Sequence, residues 1–333
     1  MLIKDFYNEI SNETKALEFL RRHNLLDKEQ EVRNCHRCGG EMKDARKRRR
    51  NGEFIPVLRC TARGCQTFRS VRTGNAFFHF TDLNNRLHCN LSLSQILELV
   101  WYFVEDCSYD IIQKFTGRSR ETICDWFNMC REVCTQIVSV ENRGQMIGTN
   151  DQPVQIDEAR FAGRRKYNRG RMLKGDHPAN LIDSEAEVEN NRNHGRRIDG
   201  PWVFGLKKGL DCRYFFVERR DRDTLQPIIQ REVAEGSVIH SDEWLAYANL
   251  NQLNYNHLTV NHKQNYVDPN TQANTQSIER SWLDAKIRMM KKMRRTHSTT
   301  FQSQLDFMCW QKMRKEVPDL FLAFLADIRH VFK

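Results

Sequence analysis

The sequence predicts an α/β protein: a sheet flanked by helices in its second half, preceded by a small metal-held ribbon and a helical region. Three observations predict it. Between residues 154 and 260, short β-like runs are separated by turns and helical stretches. Two cysteine pairs, Cys35/Cys38 and Cys60/Cys65, are spaced as ligands of one ion. Residues 91–139 repeat apolar side chains at helical period.

Composition bounds the answer. A chain of 333 residues is long enough for two or three domains with a sizeable core. A net charge of +10 favours a polyanionic partner over an acidic small molecule, unless the protein is simply basic. No apolar run approaches the roughly 18 residues of a membrane span, and Met1–Leu20 carries no signal-peptide pattern. Neither a membrane nor a small-molecule substrate is therefore expected. Eleven cysteines, an odd number scattered along the chain, imply reduced thiols and metal ligation in a cytosolic or nuclear setting.

Residues 1–30 read as an N-terminal helical segment and 31–80 as a zinc ribbon. Cys35-His36-Arg37-Cys38 is followed by two glycines, and 21 residues separate Cys38 from Cys60, enough for a hairpin joining the pairs. Four thiolates suit one tetrahedral structural Zn²⁺. His36 as a substitute ligand would lie between the first pair, and a redox dithiol would lack its βαβ context. The other cysteines, Cys130 and Cys134 among them, mostly fall in apolar helical patterns and read as packing. The ribbon's loop carries Lys43, Arg46, Lys47, Arg48, Arg49 and Arg50 against Asp44. It is either a solvated loop or a phosphate contact, with Arg48, Arg49 and Arg50 foremost.

Residues 90–140 form the helical region. Leu93, Ile96, Leu97, Val100, Trp101 and Val104 make one amphipathic stripe. Ser108 can cap a short helix, Tyr109 to Phe115. After the turn Thr116-Gly117-Arg118-Ser119, Ser119 can cap a long helix through Ile123, Trp126, Phe127, Cys130, Val133 and Ile137. Short helix, glycine-containing turn and longer helix make a helix-turn-helix pattern. Its second helix would enter the major groove by its N-terminal end, bringing Arg118, Arg120 and Thr122 near bases or phosphates. The other reading is an ordinary helical bundle.

Residues 150–315 hold the sheet. The strand 154–158 is followed by a basic loop with Arg165, Lys166 and Arg169. Strands 202–207 and 213–217 form a hairpin about Lys208-Gly209-Leu210-Asp211. Asp223 can cap a helix from Thr224 to Val233; strands 238–241 and 257–260 follow, then a helix from Gln276 to Lys291. The hydrophilic stretch 172–195 reads as a disordered surface insertion. The last part reads as two amphipathic helices broken near Pro318, with 316–333 forming a C-terminal helix that covers the core or a dimer face.

Two of these strands finish on a carboxylate: Ile156-Asp157-Glu158 and His240-Ser241-Asp242. Glu279 lies early in the helix marked by Ile278, Trp282, Ala285 and Met289. Acids on two strand ends and a helix can converge at one rim of a sheet, where hard oxygen ligands suit one or two Mg²⁺ ions. The same helix runs on into Lys286, Arg288, Lys291, Lys292, Arg294 and Arg295 with no acid among them. That run is a phosphate grip or a solvated face. His262 either orients substrate or packs.

The strings around the acids carry a resemblance. They are Gly-Ser-Val-Ile-His-Ser-Asp-Glu-Trp-Leu-Ala-Tyr (236–247), Val-Asn-His-Lys-Gln-Asn-Tyr-Val-Asp-Pro (260–269) and Asn-Thr-Gln-Ser-Ile-Glu-Arg-Ser-Trp (274–282). With Ile-Asp-Glu (156–158), Arg-Lys-Tyr-Asn-Arg-Gly-Arg (165–171) and Trp-Val-Phe-Gly (202–205), the chain resembles a DDE transposase of the Merlin superfamily and its bacterial insertion-sequence relatives, from about residue 30 to 315. The resemblance implies an RNase H-like core, a mixed sheet flanked by helices. It implies a catalytic triad of Asp157, Asp242 and Glu279, the last two separated by 36 residues. It implies two Mg²⁺ (or Mn²⁺) ions per active site, one structural Zn²⁺, and cut-and-paste transposition. The partners implied are transposon terminal inverted repeats, target DNA and at least a second copy of the chain. The 172–195 insertion departs from the family's shorter path.

Two other readings stay open. One is a transposase-derived DNA-binding protein that no longer cuts; the other is an RNase H-fold nuclease acting on structured DNA. The expected location is the nucleus in a eukaryote, which is favoured, or the cytoplasm in a bacterium.

Overall fold

A long helix, Arg120–Asn142, contains the point at which the chain divides into two units. One comprises Met1–Ile137 with Arg314–Lys333, the other Val138–Met313. The structure is a computed structural model; it describes residues 1–27, 33–48, 52, 54–79, 89–142, 144–148, 152–161, 200–262, 264–292 and 298–332. The 172–195 stretch and Arg49, Arg50, Arg165, Lys166 and Arg169 lie outside the described residues.

In the first unit, helices α1 (Ile3–Glu9) and α2 (Glu13–Arg22) precede a three-stranded antiparallel sheet, β1 (Met42–Arg48), β2 (Phe54–Cys60) and β3 (Phe68–Ser70). Helix α3 (Leu93–Val104) starts at a capping box in which Ser92 and Gln95 each satisfy the other's backbone amide. The apolar stripe expected of α3 proves too narrow. Leu99, Tyr102 and Phe103 are buried along with it, so most of the helix is covered and only Ser94, Gln95 and Glu98 in its first two turns keep some exposure. Its Trp101 stacks on Phe6 at 4.4 Å between ring centroids. Helix α9 (Leu320–Val331) supplies Phe321, 5.1 Å from Phe6 and 5.0 Å from Trp101. The C-terminal helix is therefore core of the first unit, with Phe321, Phe324, Leu325 and Ile328 buried.

Helix α4 (Tyr109–Thr116) is capped by Ser108 and ends on Gly117, whose φ of 67° lies in the left-handed region. Helix α5 (Arg120–Asn142) follows after two residues, with the Ser119 hydroxyl accepting from the Thr122 amide at 3.3 Å. Its Ile123, Trp126, Phe127, Cys130, Val133, Cys134 and Ile137 are buried, as the helical period requires.

The second unit holds a five-stranded sheet of order β6-β5-β4-β7-β8, from β4 (Val154–Arg160), β5 (Trp202–Lys208), β6 (Asp211–Val217), β7 (Val238–Ser241) and β8 (Asn256–Thr259). The first three strands pair antiparallel; β4–β7 and β7–β8 pair parallel. An antiparallel meander joined through its first strand to two parallel strands is an RNase H-like sheet. The hairpin turn is tighter than expected. Lys208 already pairs with Asp211, leaving Gly209-Leu210 as the loop, with Gly209 at φ 58°.

Helix α6 (Arg222–Glu232) is capped by Asp221 rather than Asp223. The Asp221 carboxylate accepts from the Thr224 amide at 3.0 Å and from its hydroxyl at 2.6 Å, which leaves Asp223 inside the first turn. Helix α7 (Gln276–Lys286) gives way to a π-helical stretch, Ile287–Lys292, in place of one regular helix to Lys291. Helix α8 (Ser298–Met313) closes the sheet's β6 edge. The Gln302 amide donates to the Tyr214 carbonyl at 2.9 Å and accepts from the Phe216 amide at 2.8 Å, as another strand would.

Alternation along the strands makes two apolar layers. Val154, Ile156, Phe204, Leu206 and Ile239 pack with Leu225 and Ile229 of α6. Val203 and Tyr214 pack on the opposite face with Ile278, Trp282 and Ala285 of α7 and Leu305 of α8.

Candidate functional site

The parallel pairing of β4 and β7 sets Gln155 opposite His240. Residues two apart on a strand share a face. Asp157 and Asp242 therefore rise on the side of the sheet that carries α7, and α7 bears Glu279 in its first turn. Asp242 lies just past the end of β7, where its Oδ1 accepts from the Trp244 amide at 3.0 Å. Glu279 is more exposed. Its Oε1 accepts from the Thr275 hydroxyl at 2.6 Å and lies 3.3 Å from His262 Nε2. His262 thus stands against the third acid, a position the sequence left undecided.

Two residues that sequence reasoning missed shape this site. The Trp282 indole Nε1–H donates to Asp157 Oδ2 at 2.8 Å. Gly205 is the β5 partner of Asp157, and a Cβ there would meet two Trp282 ring carbons at 2.6 Å. The glycine makes room for the indole to lie across the strand. A glycine inside an otherwise apolar strand was the available signal of such an approach.

Electrostatics couple the acids. Burial, then the negative charges of Asp242 and Glu279, push the Asp157 carboxyl up to about 7, while the Trp282 hydrogen bond opposes the shift. Burial also raises Asp242, against the pull of the Trp244 amide and of nearby His262 and Arg220. Glu158, on the other face of β4, is pushed up to about 8 by burial and accepts from the Tyr247 hydroxyl. Partly desolvated carboxylates that disfavour one another's charge are a donor set a hard divalent cation would relieve. Among the described residues, however, the four ribbon thiols are the one group of three or more ligand side chains whose donor atoms all lie within 4.8 Å. The three acids are spread more widely, as a pair of ions about 3.5–4 Å apart allows.

The thiols fit zinc more directly. Cys35 and Cys65 sulfurs are 3.8 Å apart, Cys38 and Cys60 sulfurs 3.4 Å. Tetrahedral Zn–S bonds of about 2.3 Å require roughly 3.8 Å between sulfurs. Gly40 is needed here, because a Cβ would lie 2.7 Å from that of Ala62 and 3.4 Å from two of the thiols. The hydroxyl of Thr67 and then its backbone amide hold the Cys65 thiol down to about 6.

Residues 149–309 match the family model of the ISXO2-like transposase domain. That stretch is similar to a transposase domain. All three acids, Gly205 and Trp282 fall within the ISXO2-like stretch, whereas the cysteine ribbon precedes it. Two solved structures give the scale of likeness beyond the family. A pre-cleavage Mos1 transpososome is 11% identical, with 70% of this chain and 78% of that chain covered, at a TM-score of 0.23. The Mos1 strand transfer complex is 11% identical, with 72% and 78% covered, at 0.24. No curated protein matches the chain. Among the described residues, no helix is long and apolar enough to cross a membrane.

The residues expected to meet DNA are placed unevenly. Arg48 is exposed at the end of β1. Arg118 is mostly buried and donates to Glu98 at 2.7 Å, so the charge nearest the inter-helix turn is held within the first unit. Arg120 is exposed, paired with Asp110 at 3.1 Å and stacked over Tyr109 at 5.2 Å. Thr122 bonds back to Ser119 at the start of α5. Lys286 is half-buried at the end of α7. Lys291 and Lys292 lie in the π-helical stretch, with side chains outside the described residues.

Proposed function

We propose that the chain is a DNA transposase of the three-carboxylate kind. It cuts at the terminal inverted repeats of a transposon and joins the freed 3′-hydroxyls to target DNA. The observation that carries this reading is the rise of Asp157 and Asp242 on the α7 face of an RNase H-like sheet, with Glu279 in the first turn of α7, inside the transposase-domain stretch.

In the first step a water oxygen attacks the phosphorus at the transposon end and the P–O3′ bond breaks, leaving a 3′-hydroxyl and a 5′-phosphate. In the second, that 3′-oxygen attacks a target phosphorus and displaces a target 3′-oxygen. Phosphate is exchanged between oxygens throughout, so no protein nucleophile is required. Asp157, Asp242 and Glu279 would hold two Mg²⁺ (or Mn²⁺) ions, which when bound supply Lewis-acid stabilisation of the attacking and leaving oxygens. The protein's part is position. Strand ends fix the two aspartates, Trp282 orients Asp157, and Thr275 and His262 hold Glu279.

DNA binding is assigned to the first unit. The cysteine ribbon, held by one Zn²⁺, presents Lys43, Lys47 and Arg59 with Phe68 on one exposed face; Lys47 and Arg59 lie 5.1 and 5.8 Å from the Phe68 ring. Cations around an exposed aromatic ring suit a nucleic-acid backbone and its bases. Arg120 at the start of α5 is the candidate reader of base edges. Joining two ends calls for at least a dimer.

The test is incubation of the purified protein with its flanking genomic DNA and Mg²⁺, followed by mapping of the cuts. Cuts at the repeat boundary are expected. Asp242→Asn keeps the side chain's shape and removes a charge; it should lower cleavage by orders of magnitude while binding end DNA normally. A variant that cuts at the native rate would refute the assignment.

A further inference from the structure

We infer that Gln155, His240 and Asn274 form a positioning device that sets the Glu279 helix against the two aspartates. This rests on the reading of the three acids as a metal site and adds residues to it. The first amides of a helix have no partner within it. Thr275, at the N-cap of α7, makes no side-chain cap. The cap comes from the sheet: Gln155 Oε1 accepts from the Ile278 amide at 3.0 Å. The other end of the same amide, Gln155 Nε2, donates to Asn274 Oδ1 at 2.9 Å. The Asn274 backbone amide in turn donates to His240 Nδ1 at 3.3 Å.

The register gives the device its function. Gln155 and His240 face one another across β4 and β7. Each stands two residues before a carboxylate, Asp157 and Asp242, on the same side of its strand. Both are buried, at 8% and 6% exposure. The strand positions that aim the aspartates thus also grip the segment that aims Glu279. A sideways shift of α7 would break the Ile278 and Asn274 bonds together and strand a buried amide. The three acids are thereby referred to one frame, although Glu279 is distant from the others in sequence. Partners behind metal ligands typically set affinity by 10–100-fold.

The experiment uses the full chain and Mn²⁺ alone, with free ion followed by electron paramagnetic resonance, alongside hydrogen exchange and melting. Gln155→Met keeps side-chain volume and loses both bonds. It should weaken Mn²⁺ binding by about tenfold or more, and the Ile278 amide should exchange about tenfold faster. Asn274→Ala, at a half-buried site, removes the link without opening the sheet and should weaken Mn²⁺ in the same direction. Asn274→Asp keeps the acceptor and should restore binding. A merely structural role would lower the melting temperature and leave the affinity of the folded protein unchanged; that result overturns the inference. Unchanged exchange at Ile278 in Gln155→Met also overturns it. If the parent protein binds no Mn²⁺, the metal reading fails and the positioning role falls with it; the exchange result then shows separately whether the Gln155 cap exists.

Discussion

Asp157→Asn should make the Mg²⁺-free protein more stable while abolishing its use of the ion. The structure supplies the magnitude. The Asp157 carboxyl is moved from 3.8 to about 7, first by burial and then by its acidic neighbours. At 1.36 kcal/mol per pH unit, that is at most ~4 kcal/mol lost from the fold when the group ionises. The sign follows from proton binding. Between pH 4 and 7 the native state holds a proton that the unfolded chain has released, so stability falls as pH rises through this window. Below it both states are protonated and there is no penalty; above it the penalty is complete. Asparagine removes the charge and still accepts from Trp282. The variant should therefore match the parent near pH 4 and melt higher at pH 8, by an amount that Mg²⁺ restores only to the parent. Comparing the two proteins isolates Asp157 from Glu158, which is pushed up to about 8. Calorimetry across pH, with and without Mg²⁺ and without chelator so that ribbon zinc is retained, makes the measurement. A variant that melts below the parent at pH 8 without Mg²⁺, or an equal Mg²⁺ shift in both proteins, would refute the reasoning.

Other changes test other parts. Gly205→Ala drives a methyl into the Trp282 ring; it should cost about 1–3 kcal/mol, alter indole fluorescence, and reduce end cleavage because Asp157 loses its orienting donor. A native melt and spectrum would mean that the ring moves aside without consequence. Cys38→Ser should leave protein with no stoichiometric zinc and an unfolded ribbon, read by metal analysis and proteolysis, while the second unit still melts as before. Arg120→Ala should reduce discrimination between end DNA and random DNA by about 1–3 kcal/mol; equal weakening on both, in a salt series, would assign Arg120 to packing or phosphate grip.

Local signals carried well in this chain. Ser108 and Ser119 lie where side-chain oxygens reach free amides, and the helices begin there. The five strands, with Asp157 in β4 and Asp242 at the end of β7, follow from short apolar runs between turn residues. What escaped depends on neighbours distant in sequence. The burial of α3 beyond its apolar stripe needs partners distant in sequence, such as Phe6 and Phe321 around Trp101. The Gly205–Trp282 contact pairs a strand with a helix 77 positions later. The exchange of Asp221 for Asp223 as the α6 cap is a shift of two residues, and two acids flanking Arg222 gave no local reason to choose. The Gln155 cap was invisible because an uncharged amide in a strand is unremarked until the helix it serves is in place.

Chain order has a consequence for how the protein is made. The first unit is completed by residues 314–333, which are synthesised after every strand of the five-stranded sheet. Until Phe321, Phe324 and Ile328 arrive, the aromatic surface around Phe6 and Trp101 has no cover, whereas all strands of the five-stranded sheet are already synthesised. The second unit can therefore assemble before the first. A premature stop just before residue 314 would leave every acid of the triad in the product but strip the first unit of its final helix. Such a product should show a protease-resistant second unit and a rapidly digested first one. A truncation more than two hundred residues from the ribbon would thus disable the unit that contains it.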